Sequence, residues 1–380
     1  MRLHEKGLSQ RAIAARLGIS LGGVQHWLSR QSLASPQKPS FLDLSSAPHS
    51  QARQTSPALE SAIISLRNSL ATESDLGFVG AEAIAFELAI SHPGVALPCE
   101  RTIARILARN GLLDGRRRVR RAAPPTGWYL PAVARGEADA DAFDGIEDLP
   151  IEGVGLFHIL TSKSLIGPCV HAWVHTSITS AWTVARLDEH WRKTGLPAYA
   201  QFDNDTRFQG PHNRPNVIGE VIRFCLRHGV TPVFAPPRET GFQADIEGFN
   251  ALWQKKVWQR AHHASCEAAQ LLSDKFCAAY TLRRAARQDR SPKRRPFPTH
   301  TVGLKLTAGM IIFIRRTSET GTIRVLEQTY LADPKWPHRL VRVEVNIATL
   351  SLRFFRLRRK APDRQPFIKQ LKLKGSFRRE

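Results

Sequence analysis

Residues 199–254 read YAQFDNDTRFQGPHNRPNVIGEVIRFCLRHGVTPVFAPPRETGFQADIEGFNALWQ. The short apolar run 199–202 ends in Asp203-Asn204-Asp205, the pattern of a strand that delivers a carboxylate at its tip. Residues 224–228 read as the end of a helix, closed by Gly229. A second short strand spans 230–234, and Pro236-Pro237-Arg238 makes a rigid, extended exit. Residues 240–244 form a loop. A helix follows, with Ile246, Phe249, Trp253 and Val257 on one apolar face and Glu247 beside that face in the first turn. Asp203 at a strand end and Glu247 at a helix start are therefore candidates for sharing one cation.

Hard divalent cations such as Mg2+ prefer carboxylate oxygens and keep several waters. Two of them, roughly 3.5–4 Å apart, activate a water or hydroxyl and stabilise the leaving oxygen in phosphoryl transfer. The plain alternative is that Asp203 caps a turn and Glu247 is a helix-start acid favoured by the dipole.

The run DN-D-TRF, followed by HGV-P-F-PPRE and then A-x-IE-x-F-N, resembles the core of retroviral-integrase-like (DDE) transposases and integrases, here of the bacterial insertion-sequence kind. The resemblance covers roughly residues 140–260. Asp205 stands where that family usually has Gly, and Gln243 where it usually has Asn. The Asp203-to-Glu247 spacing is longer than usual, and the excess lies in GPHNRPNVIGE, residues 210–220, which reads as a surface loop insertion. The resemblance implies a ribonuclease H-like fold: antiparallel strands (154–161 and 165–175 among them), a helix from 181 to about 191, then the strand ending at Asp203. It implies a third acid on the first strand. Asp144, in Phe143-Asp144-Gly145-Ile146, matches best, with Asp141 as the alternative; Asp139 and Asp148 read as charge balance. Asp144, Asp203 and Glu247 would then be the catalytic residues and hold two Mg2+ (or Mn2+) ions. A homo-oligomer is implied as well, because two DNA ends must be brought together.

The rest of the chain is consistent with a DNA partner. Its 380 residues suggest several domains. There are 55 Lys and Arg against 33 Asp and Glu, a formal charge of +22, which points to nucleic acid or an anionic membrane. No apolar run approaches the ~20 residues of a membrane span, and the N-terminus lacks the apolar core of a signal peptide. Cytoplasmic, nucleoid-associated protein is the expectation. Five scattered cysteines without a C-x-x-C pair support neither a disulfide framework nor a zinc ribbon.

Residues 1–30 read as a helix-turn-helix: Ser9 caps one helix with Ile13 and Leu17 inward, Gly18 turns, and Ser20 caps a second helix with Val24, Trp27 and Leu28 inward. Gln25, His26 and Arg30 would lie near the groove. The alternative is a generic helical hairpin. Residues 31–57 are a Ser/Pro/Gln-rich linker. Residues 58–123 read as a second helical DNA-binding domain. Its last helix carries Arg101, Arg105 and Arg109 on one face, and a basic arm follows with Arg116, Arg117, Arg118, Arg120 and Arg121, suited to phosphate contact. The catalytic core is assigned to 124–282, with Lys255, Lys256 and Arg260 after Glu247 as further phosphate contacts. A basic linker (283–301) leads to alternating segments over 302–360, which resemble the small SH3-like β-barrel of integrases. Residues 361–380 read as a disordered basic tail.

The fold expected is thus multidomain α+β: N-terminal helix-turn-helix modules, a ribonuclease H-like α/β integrase core and a C-terminal SH3-like barrel. The function expected is metal-dependent DNA end cleavage and strand transfer. Its rival is a non-catalytic DNA-binding regulator, or a transposase whose core has degraded.

Overall fold

The computed structural model describes residues 2–32, 55–74, 76–113, 124–151, 153, 155–239, 241–285, 288, 291–298 and 308–379. The chain divides into two units, Met1–Ser56 and Pro57–Glu380.

The first unit holds α1 (Arg2–Glu5), α2 (Gln10–Leu17) and α3 (Leu21–Ser32). Ser9 caps α2 by accepting the Ala12 N–H at 3.2 Å, and Gly18 ends it in the left-handed region. Ser20 accepts the Gly23 N–H at 3.1 Å at the start of α3. Ile13, Ala14 and Val24 form the small core. Leu17, expected inside, is 55% exposed.

The second unit begins with α4 (Pro57–Glu73), α5 (Ala81–Ser91) and α6 (Glu100–Arg109). Ile63, Ile84, Leu88, Ile103, Ile106 and Leu107 pack between them. The short α7 (Pro131–Ala134) leads into β1 (Ala140–Ile151), β2 (Gly155–Ser164), β3 (Val170–His175) and α8 (Ser180–Thr194). Next come β4 (Tyr199–Phe202), α9 (Thr206–Gln209), β5 (Val217–Ile218), α10 (Glu220–Arg227) and β6 (Thr231–Phe234). α11 (Ala244–Trp253) runs on through a π-helical turn, Gln254–Trp258, and α12 (Cys266–Arg283) follows. The remaining strands are β7 (Met310–Arg316), β8 (Thr322–Val325), β9 (Gln328–Leu331), β10 (Leu340–Asn346), β11 (Ser351–Arg356), β12 (Phe367–Lys372) and β13 (Arg378–Arg379). Among the described residues no helix is long and apolar enough to cross a membrane.

Among the described residues nine strands join in one mixed sheet, in the order β12-β11-β10-β7-β6-β4-β1-β2-β3. β1, β4, β6 and β7 are parallel; both flanks are antiparallel. Helices cover both faces, as a sheet with parallel central strands requires. On one side Phe143, Phe202, Phe234 and Phe313 pack with Leu187 and Trp191 of α8 and the apolar face of α10. On the other, Ile146, Ile159 and Val174 meet Phe249, Trp253 and Phe276 from α11 and α12.

Two expectations for the C-terminal part are not met. Residues 302–360 do not close into a separate barrel among the described residues: β7 pairs in parallel with β6, and β10, β11 and β12 extend the same sheet. Alternation predicts strands there, but says nothing of which edge they join, and the open edge of β6 is the available partner. Nor is 361–380 a free tail. β12 pairs with β11, and β13 pairs in parallel with β5, inside the 210–220 insertion. That insertion is itself tightly closed: Gly210, at φ +102, lies so near Gly219 that a Cβ on either would strike the other's backbone.

Candidate active site

Strand register sets the site. In the β1–β4 pair Ala142 lies opposite Gln201, so Asp144, within β1, is level with Asp203, just past the carboxyl end of the parallel strand β4. Crevices outside the carboxyl ends of parallel strands are where α/β sheets hold their ligands. Period-two alternation sends Asp144 to the α11 face and Asp141, with Phe143, to the α8 face.

On its own face Asp144 is held by α11. Asn250 Nδ2 donates to Asp144 Oδ2 at 2.7 Å, and the Thr161 hydroxyl of β2 lies 2.7 Å from Asn250 Oδ1 and 3.1 Å from the Asp144 carbonyl oxygen. The start of α11 is fixed separately: Lys163 Nζ donates to the Asp245 carbonyl at 2.9 Å and to its carboxylate at 3.2 Å. Glu247 lies in that first turn, exposed. Asp203 Oδ1 accepts the Asp205 N–H at 3.0 Å, and Asp205 in turn caps α9 through the Arg207 N–H at 2.8 Å. The Arg207 guanidinium grips both oxygens of Asp205, each at 2.8 Å, and reaches Glu147 on β1.

Burial pushes Asp144 up to about 6; the negative charges of Asp203 and Glu247 push the same way, against the Gly145 N–H and the Asn250 amide. Asp203 is also raised, first by burial, with the Asp205 N–H opposing and the Asp205 charge adding to it. The donor set is all oxygen, and a divalent cation would relieve both the burial cost and the mutual repulsion. In that sense these residues fit Mg2+ or Mn2+. As the side chains stand, no set of three or more Asp, Glu, His or Cys among the described residues is gathered closely enough to hold a metal ion.

Asp141, the alternative first acid, has other work. It is fully buried, and its Oδ2 accepts from Trp191 Nε1 at 3.0 Å, lies 3.2 Å from His190 Nε2, and meets Arg294 at 3.1 Å. The other oxygen accepts from Arg294 Nη2 at 2.6 Å. Burial alone would raise Asp141, but Arg294 and His190 hold it below the ordinary carboxylate range. Asp139 shares Arg294, at 2.6 Å, and accepts from the Ser164 hydroxyl at 2.9 Å. These two acids balance a charge from the basic linker inside the protein.

The predicted DNA contacts separate into groups. Gln25 and His26 are exposed on α3, and the Arg30 guanidinium lies over the Trp27 ring at 4.6 Å. Arg101 and Arg105 are exposed on α6, whereas Arg109 is bound to Glu60. Arg116, Arg117, Arg118, Arg120 and Arg121 lie outside the described residues. Lys255 is exposed. Lys256 donates to the Gly77 carbonyl, and Arg260, which is exposed, to the Ser74 carbonyl at 2.6 Å. They dock the α4–α5 loop, with Phe78 stacked on Phe276, so their charges satisfy backbone oxygens. Spacing places Asn250 on the Glu247 face, whereas Thr161, Arg207, Arg294 and Arg315 carry no such pattern in the sequence.

No family model and no curated protein matches the chain. Among solved structures it is similar to the catalytic core domain of BIV integrase, at 14% identity and a TM-score of 0.28, over 35% of this chain and 79% of that one. It is also similar to the HTLV-2 integrase catalytic core domain in complex with magnesium, in its dimeric form, at 12% identity and a TM-score of 0.27, over 40% of this chain and 86% of that one. Overlaps this loose carry no weight on mechanism, which has to come from the residues above.

Proposed function

We propose that the chain is a DNA transposase or integrase that hydrolyses phosphodiesters at DNA ends and transfers the cut strand, with Asp144, Asp203 and Glu247 holding two Mg2+ or Mn2+ ions. The observation that carries this reading is the strand register that sets half-buried Asp144 of β1 level with Asp203 just past β4, with the charges of Asp203 and Glu247 adding to the burial that raises Asp144. When bound, divalent ions supply an activated water or DNA 3′-hydroxyl and a stabilised leaving oxygen. The chain's own part is to hold the acids still. Asn250 and Thr161 fix the Asp144 carboxylate, the Asp205 N–H orients that of Asp203, and Lys163 anchors the helix turn that presents Glu247.

Double-stranded DNA, both the element ends and the target, is the partner. On this reading Gln25, His26, Arg30, Arg101, Arg105, the 116–121 arm and Lys255 contact it. The protein works as a multimer that synapses two ends, in a bacterial cytoplasm at the nucleoid.

A second reading has one observation in its favour. Three metal-holding side chains are not gathered among the described residues, as a DNA-binding regulator with a lapsed core would have it. Terminal-repeat DNA from the flanks of the coding region, incubated with purified protein and Mg2+ or Mn2+, separates the two. Nicking or joining that is lost in Asp203→Asn and Glu247→Gln, with gel-shift binding kept, supports the enzyme. Equal activity in those variants eliminates the proposed acids, and binding without any cleavage in the native protein supports the regulator.

A further inference from the structure

Arg315 of β7 is among the most deeply buried charges described, 8% exposed, yet its bonds go to neutral oxygens. Nε donates to the Arg324 carbonyl at 3.1 Å; Nη1 donates to the carbonyls of Ala235 at 3.2 Å and Ile314 at 2.9 Å. Its one side-chain hydrogen bond, Nη2 to Asn204 Oδ1 at 2.7 Å, reaches the residue between Asp203 and Asp205. Asn204 is gripped at its other end too: Nδ2 donates to the Ala235 carbonyl at 2.6 Å, just past β6. Ala235 N–H donates to the Phe202 carbonyl at 3.0 Å, which locks the same corner through the backbone.

A guanidinium taken out of water is costly unless its donors are met with good geometry. Burial here pulls Arg315 down to about 9, with Glu327 opposing weakly. Packing alone would be served more cheaply by an apolar side chain. What an apolar side chain cannot do is hold the Asn204 amide and the end of β6 together.

We infer that Arg315 is a positioning residue for the proposed metal-holding acid Asp203, acting through Asn204, so that the active site is completed by the C-terminal strands. This rests on the reading of Asp203 given above. The turn 203–205 lies at the end of a strand only four residues long, and beyond the Ala235–Phe202 backbone bond it is the Asn204 side chain that ties it to the β6 side. With Asn204 clamped, the Asp203 carboxylate stays level with Asp144. Without the clamp the turn keeps the Arg207 grip on Asp205 but loses its side-chain hold on the β6 side.

The test uses the full-length chain with Asn204→Ala, Arg315→Met and Asp203→Asn. Hydrogen exchange at the Asp205 amide, whose N–H bonds Asp203, reads the turn without metal. Mn2+ binding, followed by the loss of the free-ion resonance signal, and the kcat–KM split on DNA read the site. Asn204→Ala should exchange at Asp205 about tenfold faster, bind Mn2+ about tenfold more weakly, and lose about tenfold in kcat with KM within twofold. Arg315→Met should match it if it folds; Asn204→Ala, which removes only a half-exposed amide, decides the matter if it does not. Unchanged exchange in Asn204→Ala overturns the inference whatever the metal does. Tight Mn2+ binding in native protein and Asn204→Ala alike, with loss only in Asp203→Asn, overturns it and leaves the catalytic reading standing. Native protein that binds no better than Asp203→Asn defeats both.

Discussion

Asn250 Nδ2 donates to Asp144 Oδ2 at 2.7 Å, so the helix that carries Glu247 is tied to the strand that carries Asp144. Both ends of that amide are in use, since Thr161 occupies its oxygen. Replacing Asn250 by Leu leaves the Thr161 hydroxyl only the Asp144 carbonyl to bond and takes the amide donor from the half-buried Asp144 carboxylate. The expected result is a loss of about 1–3 kcal/mol in urea denaturation, the cost of an unmet buried polar group. Strand cleavage should fall by one to two orders of magnitude with DNA affinity kept.

The raised Asp144 makes a pH prediction whose sign is opposite to that of a salt-bridged acid. Its folded value, about 6, lies above the ordinary 3.8, so the folded state holds its proton longer than the unfolded chain. Stability is therefore fully present below about pH 4 and declines as pH rises to about 6. Asp144→Asn removes the penalty and can keep the Asn250 bond through its amide oxygen. At pH 8 without divalent ions this variant should be more stable by up to about 3 kcal/mol. At pH 4 the two should converge. Thermal midpoints measured across that range check it, and a constant gap would show that burial and repulsion are not the cause.

Mg2+ or Mn2+ should reverse that order. Cations that bind only the folded state stabilise in proportion to the logarithm of concentration over Kd. Millimolar metal should raise the native midpoint at pH 8 and leave Asp144→Asn nearly unmoved, and chelation should cancel the gain.

Arg207 lowers Asp203 by its charge while neutralising Asp205 and Glu147. Arg207→Ala should therefore move Asp203 further up, and with it the acid limb of the pH–rate profile for DNA cleavage. An unchanged limb would exclude Asp203 as the titrating group.

Arg294 neutralises two carboxylates at once, Asp139 and Asp141, each at 2.6 Å. Arg294→Met would strand both inside the fold and should cost roughly 3–5 kcal/mol. Adding Asp139→Asn and Asp141→Asn should restore part of it. Additive losses in denaturant titrations would show that the three do not act together.

The local grammar was readable in the sequence. The strand ending before Asp203, the Gly229 stop, the second strand and the helix after the 240–244 loop, which opens at Ala244 in the structure, follow from apolar period, turn residues and short range. Asp141 and Asp144, three positions apart on a strand, face opposite ways, and Phe143 marks the side that Asp141 shares. What could not be read is pairing over distance. Alternation over 310–356 is the same whether the strands close on themselves or add to an existing edge. A lysine or arginine on a helix looks alike whether phosphate or a backbone carbonyl awaits it, so the bonds of Lys256 and Arg260 to the Gly77 and Ser74 carbonyls carry no sequence signal. Arg315 and Arg294 carried no signal at all, since each is explained only by acids and amides more than a hundred positions away.

The parallel union of β6 with β7 has a consequence for synthesis. When β6 leaves the ribosome its outer edge is bare, and it stays bare while residues 235–309 are still being made. An apolar strand waiting that long is a site for wrong pairing between nascent chains. Expression at low temperature, or with chaperones that shield exposed edges, should raise the yield of native protein more than any change at the N-terminus.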